Sequence, residues 1–510
     1  MFTMHSLELL LLLLCLLLYL LYLILCEFRL SRKFSGHGPP TYPIIGCLVS
    51  FCKNRHRLLD WYTDLLSESA TQTIMIRRLG AGRVIVTANP ENVEYMLTTN
   101  FNNFPKGKAF TEVLGDYLGC GIFNVDGELW HTQRKLVSQD FSATSLREYV
   151  VNTLQEEVQN KLLPVLGSLA AETDKVVDLQ ELLRRLTFDI VCKVSLGIDP
   201  CCLDPFLSVS SLARAFDVAS DISAKRAAAP VYATWKVKRM LGVGSERRLK
   251  EAIEEIHAFV MKIIFEKKKK INAGGGSTLC EEDLLSRMIL AGHDEEVIRD
   301  MTISFVMAGR DTTSAAMTWL FWLLSRNPNV EQEVIEELGF VKDESLSNYE
   351  ELKSMTLLKA CLCESMRLYP PVAWDSKHAD TDDLLPDGTP VRAGDRVTYF
   401  PYGMGRMKEL WGDDRFEFKP ERWILKPDRE GRRALKKVCP YNFPIFQAGP
   451  RVCLGKELAF TQMTYVVASI LNRFKIRPAG SHQPVFVPLL TAHMAGGFQV
   501  FVHKRQTCGR

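Results

Sequence analysis

One cysteine near the C-terminus lies in a loop of closely spaced glycines, FQAGPRVCLG at residues 446–455. The loop matches the pattern FxxGxRxCxG, whose fixed positions are Phe446, Gly449, Arg451, Cys453 and Gly455. Glycine permits dihedral angles and close backbone approaches that other residues exclude, so the chain can turn sharply around the sulfur. A buried structural cysteine is the commoner role of a free cysteine. The density of fixed positions here favours a metal-ligand loop instead.

The loop is best explained as the proximal ligand of a haem iron. A cysteine thiolate pushes electron density onto haem iron and favours cleavage of an O–O bond, which makes Cys453 the candidate axial ligand. The planar donors of Arg451 suit a haem propionate, because they match the geometry of a carboxylate. Phe446 is expected to shield the sulfur from water.

At these residues the sequence resembles the cytochrome P-450 haem-thiolate monooxygenases, and the resemblance extends from about Pro39 to the C-terminus. It implies a mainly α fold with a small β subdomain, in which a long central helix lies over the haem and the proximal cysteine loop lies beneath it. It also implies haem b (iron protoporphyrin IX) as the cofactor, a non-covalent porphyrin with an axial thiolate.

Composition agrees with a large enzyme and excludes some other classes. The chain has 510 residues, 47% of them hydrophobic, which is enough to bury a large core. Its net charge of +3 is too small to suggest a nucleic-acid-binding protein. The 14 cysteines follow no regular disulfide framework and form no zinc-type pair of CxxC motifs. We therefore expect reduced thiols in a domain that faces the cytosol.

The N-terminal residues predict a membrane anchor. Residues 9–26 carry no charge and are mostly leucine, about the shortest stretch that spans a bilayer as a helix. A cleaved signal peptide is the alternative, but no Lys or Arg precedes the run and no small-residue cleavage site follows it. Positive charges come afterwards, at Arg29, Arg32 and Lys33, and the positive-inside rule then places the remaining chain in the cytosol.

These features divide the chain into an N-terminal membrane anchor at 1–28, a basic and proline-rich hinge at 29–46, and a haem-thiolate catalytic domain at 47–510. The hinge contains GHGPPTYPIIG, whose prolines exclude a helix and stiffen the connection. The expected location is the endoplasmic reticulum membrane, with a single pass and a cytosolic catalytic domain.

The first part of the catalytic domain combines a predicted hairpin with a predicted pocket loop. Residues 73–87 are rich in β-branched and apolar residues around glycines, which predicts a short hairpin. Lys106 and Lys108 follow within FNNFPKGKAFTEVLGDYL, where a solvated loop is the simplest interpretation, although either lysine could meet a substrate carboxylate. The resemblance makes this stretch the roof of the substrate pocket, with apolar contacts from Phe104, Phe110, Leu114 and Leu118.

Further basic residues are candidates for the haem propionates. Trp130 and Arg134 in GELWHTQRKL lie four residues apart and share one face of a helix. The resemblance implies that both side chains hydrogen-bond a propionate. Lys377 falls where the family often has a propionate-binding arginine, and we expect it to serve the same purpose.

Residues 294–326 predict one long helix, with acidic residues at its positive end and Pro328 beyond its end. Its middle, MAGRDTTSAA, places Asp311 and Thr312 within an otherwise apolar segment. A threonine that bonds its own helix backbone is the ordinary explanation. Proton delivery is the functional one, because oxygen activation consumes protons and needs an acid and a hydroxyl linked to water.

This stretch resembles the family motif [A/G]Gx[D/E]T, which falls on Ala308, Gly309, Asp311 and Thr312. Asp311 and Thr312 are therefore the predicted catalytic residues, and Ala308 is a predicted pocket residue. Some mammalian fatty-acid hydroxylases of the family carry glutamate at the position of Ala308 and esterify the haem through it. Alanine implies that the haem here is held without an ester.

Glu364 and Arg367 in ACLCESMRLYPP lie three residues apart on a helix that must end at Pro370-Pro371. Apolar flanks predict a buried pair, and buried ions need several partners. The resemblance supplies Arg422 as a third member. We expect these residues to be structural rather than catalytic.

Two later segments are expected along the substrate pocket. After the prolines, VAWDSKHA should run extended, with Ala373 and Trp374 facing the substrate. Near the C-terminus, residues 489–494 (LLTAHM) precede two glycines and resemble the hairpin whose turn enters the pocket from the opposite side. Leu490 and His493 are expected there.

The chain needs an external source of electrons. No GxGxxG fingerprint follows a predicted strand, so binding of NADPH or flavin by this chain is not expected. The resemblance implies an NADPH-dependent diflavin cytochrome reductase in the same membrane. Lys436, Lys437 and Lys456 could meet its acidic surface, although a solvated basic face is an equally good interpretation of the first two.

The resemblance also supplies the substrate class. Long stretches, including MAGRDTTSAAMTWLFWLL and PYGMGRMKELWGDD, resemble the plant branch that oxidises fatty acids at the terminal (omega) methyl. The partners would then be a fatty acid, O2, the reductase and the membrane. Alternatives are omega-oxidation of a jasmonoyl-amino acid conjugate, a haem-thiolate isomerase that rearranges hydroperoxides, and a non-catalytic haem carrier. Retention of the complete oxygen motif argues against the last two.

Overall fold

The computed structural model describes residues 14–19, 21–22, 38–42, 45–78, 81–172, 174–203, 210–229, 233–273, 283–339, 352, 354–426 and 433–505. Most of the predicted anchor and much of the predicted hinge lie outside these ranges. Among the described residues, no helix combines the length and apolarity needed to cross a membrane.

Helices make up most of the described chain. In chain order they are α1 Leu48–Asn54, α2 Leu58–Glu68, α3 Pro90–Glu94, α4 Lys108–Leu118, α5 Gly127–Ser142, α6 Thr144–Glu157, α7 Leu163–Ala171, α8 Leu179–Leu196, α9 Ser211–Ala227, α10 Ala233–Leu241, α11 Ser245–Asn272, α12 Leu284–Leu290, α13 Glu295–Arg326, α14 Pro328–Gly339, α15 Thr356–Leu368, α16 Pro401–Met404, α17 Lys408–Trp411 and α18 Lys456–Arg473. The π-helical segments Tyr95–Thr99 and Val158–Leu162 continue α3 and α6.

The strands form small separate sheets. They are β1 Thr73–Arg78, β2 Ala81–Thr87, β3 Val176–Asp178, β4 Asp375–His378, β5 Asp383–Leu384, β6 Pro390–Val391, β7 Arg396–Tyr399, β8 Phe474–Pro478, β9 Phe486–Val487, β10 His493–Met494 and β11 Gln499–Lys504. The largest sheet has the order β1-β2-β7-β4, with β2 and β7 parallel and its other neighbours antiparallel. The predicted hairpin at 73–87 is confirmed as β1 and β2.

Helix α13 is the predicted long helix and the axis of the helical body. The side chain of Asp294 accepts a hydrogen bond from the N–H of Glu296 and caps its first turn. Most of the helix is buried, and a Cβ at Gly309 would lie 2.6 Å from Cγ2 of Val191. The glycine therefore lets α8 approach α13 closely.

Buried apolar residues form a large helical cluster and a smaller one around the four-stranded sheet. This arrangement confirms a mainly helical fold with small β sheets. All cysteines in the described part of the chain are free, as expected for reduced thiols.

Candidate active site

The cysteine loop is held in a tight backbone path. Gln447 has a positive φ of 62°, a conformation that non-glycine residues rarely adopt. Gly449 has a φ of +63°, and a Cβ there would lie 2.1 Å from the carbonyl oxygen of Leu97. The N–H of Cys453 donates to the carbonyl of Phe446 at 2.7 Å. Glycine is therefore required at 449 if the loop is to turn beneath residues 97 and 98.

Cys453 lies just before α18, whose N-cap is Gly455. Burial raises the pKa of the Cys453 thiol, while the N–H of Gly455 and the charges of Arg134 and Lys456 act in the opposite direction. The residue nonetheless retains exposed surface. The ring of Phe446 packs against Phe460, with centroids 5.3 Å apart.

Arg451, Trp130 and Arg134 surround the cysteine loop. Nη2 of Arg451 donates to Oδ1 of Asp126 at 2.6 Å, and the guanidinium lies 4.4 Å from the centre of the Trp130 ring. Nη2 of Arg134 donates to the carbonyl of Val452 at 2.5 Å. Trp130 and Arg134 both project from α5, so the structure brings these predicted propionate residues together with Cys453.

Two further cations, Lys106 and Lys377, surround Asp375 of strand β4 in the largest sheet. Nζ of Lys106 lies 2.7 and 3.0 Å from the two carboxylate oxygens of Asp375. Nζ of Lys377 lies 3.7 Å from Oδ2 of the same aspartate, and its side chain is fully buried. The prediction that Lys106 is solvated is wrong, because its side chain is only 9% exposed. Its pairing with a distant carboxylate stabilises this burial.

These residues fit haem b. Within the described chain, Nζ of Lys377 and Nε of Arg451 are buried donors without a hydrogen-bond acceptor. Buried polar groups without partners are costly, and the propionate carboxylates of haem would satisfy such donors. The exposed thiol of Cys453 would supply the cysteine ligand.

The middle of α13 is less buried than the stretches on either side of it. Residues on both sides of it are buried, but Ala308, Asp311 and Thr312 are only half-buried. The hydroxyl of Thr312 donates to the carbonyl of Ala308 at 2.7 Å. Oδ1 of Asp311 has no hydrogen-bond partner among the described residues. The two predicted catalytic side chains therefore lie together on the less buried part of the helix.

Asp311 borders a cavity of about 260 Å³. Arg184, Asp217, Asp221, Ala315 and His493 are among the residues that line it. Arg310 lies behind it, with Nη1 2.8 Å from Oδ1 of Asp217 and Nε 3.7 Å from Oδ1 of Asp311. Arg184 pairs with Asp217 as well. Asp311 is thus in contact with both a cavity and a charge network.

The predicted substrate-pocket residues fall into two groups. Phe104, Leu114, Leu118 and Ala373 are buried, and Phe104 packs edge-on against Tyr95 at 6.2 Å. The half-buried members, which retain accessible surface, are Phe110, Trp374, Leu490 and Ala308. The structure therefore leaves the second group better placed to contact a ligand.

Glu364 and Arg367 form a buried pair, as their apolar flanks predicted. Both side chains are fully buried, and the two nitrogens Nε and Nη2 of Arg367 donate to the Glu364 carboxylate at 2.8 Å each. Nε of Arg422 lies 3.3 Å from Oε1 of Glu364, and Nε1 of Trp423 donates to Oε2 at 2.9 Å. The network joins α15 to the segment that precedes the cysteine loop.

The three lysines proposed to meet a reductase, Lys436, Lys437 and Lys456, are exposed. Lys456 lies in the first turn of α18, directly after the cysteine loop.

Several residues of this site were missed by sequence reasoning. Asp375 and Gln447 join the cations of the sheet to the cysteine loop, since Nε2 of Gln447 donates to Oδ2 of Asp375 at 2.8 Å. Asp217 and Arg310 contact each other near Asp311. Only weak sequence signals could have found them. Asp375 lies two residues from Lys377 in a predicted extended segment, and Arg310 lies inside a mostly apolar helix.

Known proteins resemble this chain over almost its whole length. Residues 37–494 match the family model described as Cytochrome P450. Cytochrome P450 94B1 of Arabidopsis thaliana is 60% identical over 475 residues, which cover 93% of this chain and 92% of that protein. Cytochrome P450 94B3 of Arabidopsis thaliana is 57% identical, with 92% of each chain covered. Cytochrome P450 94A1 of Vicia sativa is 45% identical over 92% of this chain and 91% of its own.

Proposed function

The chain belongs to the cytochrome P450 family, and from this membership we propose that it hydroxylates fatty acids at the terminal methyl group. As a member of the family it is a haem-thiolate monooxygenase that takes electrons from a redox partner. The observation that carries the monooxygenase part of the proposal is the half-buried pair Asp311 and Thr312 in the middle of the mostly buried helix α13. That pair supplies the proton-donating groups that a monooxygenase needs beside its substrate.

In this proposal haem b, with its axial thiolate, supplies the activation of O2. Cys453 is the proposed ligand. Burial raises the pKa of its thiol, and the Gly455 N–H and the charges of Arg134 and Lys456 partly offset that rise. Arg134, Arg451 and Lys377 would hold the propionates, with Trp130 beside them. Thr312 holds a proton-bearing hydroxyl at the less buried stretch of α13, and Asp311 exchanges protons with the cavity that it borders.

The proposed substrate follows from the long stretches that resemble the fatty-acid omega-hydroxylases. Half-buried apolar side chains at Phe110, Trp374 and Leu490 support an apolar pocket for an alkyl chain. A terminal methyl is harder to hydroxylate than the neighbouring methylene groups, so the pocket must narrow at the reacting end. Ala308 precedes Thr312 by one helical turn and leaves room there for a chain end.

The partner and location proposed are those of an endoplasmic reticulum enzyme. The electron donor would be an NADPH-dependent diflavin cytochrome reductase, and exposed Lys456 beside the cysteine loop supports a contact with an acidic surface. The domain division at 1–28, 29–46 and 47–510 is part of the same proposal, with a single anchor and a cytosolic catalytic domain.

Product analysis tests the proposal. Membranes containing the full chain and a diflavin reductase are incubated with NADPH and, separately, lauric acid, oleic acid and jasmonoyl-isoleucine. We expect an omega-hydroxy fatty acid as the main product. If only jasmonoyl-isoleucine were oxidised, the substrate would be a hormone conjugate instead of a fatty acid. Rearrangement of a fatty-acid hydroperoxide without NADPH would contradict the monooxygenase.

A control separates the pocket from the chemistry. Ala308→Phe places a bulky ring one turn before Thr312, so it should suppress oxidation of the chain end while Cys453 still binds haem. Ala228→Phe, at the C-cap of α9, makes the same enlargement away from that stretch and should leave the product pattern unchanged.

A further inference from the structure

We propose that Asp375 is a positioning residue that neutralises Lys106 and so leaves Lys377 as a single buried ammonium, which binds one carboxylate of the haem. The proposal rests on the haem site described above. It adds the Asp375 carboxylate, which sets the net charge of that site. It also assigns Lys106 to the pairing with Asp375 instead of a contact with substrate.

Asp375 is the centre of this cluster. Its carboxylate accepts hydrogen bonds from Lys106 through both oxygens, from Gln447 at 2.8 Å and from the hydroxyl of Tyr399 at 3.1 Å. The single hydroxyl proton of Tyr399 is shared between Asp375 and the side-chain carbonyl of Gln447. Burial alone would raise the pKa of Asp375, but Lys106 and Lys377 hold that pKa well below its usual range. Asp375 is therefore a fixed negative charge.

Local structure explains why Nζ of Lys377 has no hydrogen-bond acceptor among the described residues. Asp375 and Lys377 are two residues apart in β4 and so lie on the same face of the strand. Lys106 reaches that face from the other side, because the carbonyl of Pro105 accepts from the N–H of His378 at 2.9 Å. Both oxygens of Asp375 are engaged by Lys106, and Nζ of Lys377 remains 3.7 Å away without a hydrogen bond.

The charges of the cluster do not balance within the described chain. Lys106 and Lys377 share the single negative charge of Asp375, and Arg451 pairs with Asp126, so these five residues carry one net positive charge. An ammonium that is fully buried needs an anion with hydrogen-bonding oxygens. One carboxylate on a ligand would complete a set of equal positive and negative charges.

Two ligands could supply that carboxylate, the haem and a fatty-acid substrate. The contacts favour the haem. Gln447 follows Phe446 directly in the cysteine loop and bonds Asp375. Burial, and after it the charges of Lys106 and Arg451, lower the pKa of Lys377 well below its usual value, so its charged form needs a carboxylate beside it. Lys377 thus lies beside the loop that carries Cys453.

The test measures the rate at which the full-length, haem-loaded protein loses haem to an excess of apomyoglobin. Lys377→Met removes the surplus cation and should speed haem loss about tenfold or more, since hydrogen bonds to charged groups contribute that much. Lys377→Arg should restore slow loss. Lys408→Met, at an exposed pair with Asp413, is the matched control and should not change the rate.

The role of Asp375 is tested by a double variant. Lys106→Met frees Asp375 to pair with Lys377, so haem loss should accelerate even though no propionate ligand is removed. The double variant Lys106→Met with Asp375→Asn should return to slow haem loss. Of the three residues Lys106, Asp375 and Lys377, only Lys377 is then charged, and it is free to bind the haem carboxylate. A merely structural network would instead give additive acceleration, and that result would overturn the proposal.

A second arm distinguishes the source of the carboxylate. Binding of lauric acid and of its methyl ester is measured by the change in the haem absorption spectrum. Equal effects of Lys377→Met on both ligands, together with fast haem loss, support the haem assignment. Weaker binding of the acid alone, with normal haem retention, would assign Lys377 to the substrate. Haem retention does not depend on which product forms, so this result is independent of the proposed omega-hydroxylation.

Discussion

The hydroxyl of Thr312 donates a hydrogen bond of 2.7 Å to the carbonyl of Ala308, one turn earlier in α13. Thr313 makes an equivalent bond of 2.7 Å to Gly309. The two threonines differ in exposure, since Thr312 is half-buried and Thr313 is buried. Both threonines therefore bond to the backbone of their own helix. Thr312 differs from Thr313 in being less buried.

Thr312→Ala should uncouple electron consumption from product formation. The change removes the half-buried hydroxyl but keeps the helix, so oxygen would be reduced while protons are delivered without control. We expect NADPH consumption to continue and hydrogen peroxide to replace most of the hydroxylated product. Peroxide and product are measured together per NADPH consumed.

Thr313→Ala is the control for this substitution, because it removes the same backbone bond from a buried hydroxyl. It should stay coupled. Full coupling in Thr312→Ala, or equal uncoupling in both variants, would remove Thr312 from the proton path.

Cys453→Ser should abolish thiolate ligation. A serine hydroxyl is a far weaker donor of electron density to iron than a thiolate, so the reduced carbonyl complex should lose the absorption band of a haem thiolate. The spectrum of the reduced protein with carbon monoxide shows this directly. Cys439→Ser alters another exposed free cysteine and should keep the band. Persistence of the band in Cys453→Ser would assign another ligand.

Glu364→Gln should destabilise the fold without touching the chemistry. The glutamine keeps the shape but leaves the buried Arg367 without its counter-charge, and breaking a buried pair in this way costs about 3–5 kcal/mol. Denaturant unfolding followed by fluorescence gives the change in the free energy of unfolding.

Lys408→Ala provides the comparison for Glu364→Gln, because its pair with Asp413 is exposed. Such pairs contribute about 0–1 kcal/mol. A loss in Glu364→Gln no larger than that in Lys408→Ala would show that the buried network is dispensable.

Asp189 should make stability fall as pH rises through mildly acidic values. Burial raises the pKa of Asp189 to about 6, although the N–H groups of Cys202 and Leu203 donate to its carboxylate at 2.9 and 3.1 Å. In the unfolded chain the pKa of an aspartate is about 3.9. The folded state therefore binds the proton more tightly, and its advantage is lost as pH rises from about 4 to about 6.

Asp189→Asn should remove this dependence. Relative to the original protein, its free energy of unfolding should improve by about 3 kcal/mol between pH 4 and pH 7, from about 1.4 kcal/mol for each pKa unit. Unfolding curves at a series of pH values measure the difference. Parallel stability profiles for the two proteins would contradict a raised pKa at this position.

Local sequence patterns were sufficient for much of the fold. Acidic residues and Pro328 delimited α13, and β-branched residues around glycines predicted the hairpin of β1 and β2. These predictions succeeded because caps, breakers and residue periodicity act within a few residues of one another. The buried pair of Glu364 and Arg367 was predictable for the same reason.

Lys106 shows where local reasoning failed. A lysine between aromatic residues in a loop is usually solvated, yet this lysine is buried against Asp375, 269 residues away. No pattern near Lys106 contains that carboxylate. Phe104, Leu114 and Leu118 are buried, and their place along the substrate pocket stays a prediction.

The sequence by itself determined the kind of chemistry, because the cysteine loop and the oxygen motif are each contained in a short continuous segment. Tertiary structure alone decided how the charges around that chemistry are paired. Asp375 joins Lys106, Lys377 and Gln447 from separate parts of the chain. Electrostatic interactions depend on distance in space and on burial, and neither can be read from positions along the chain.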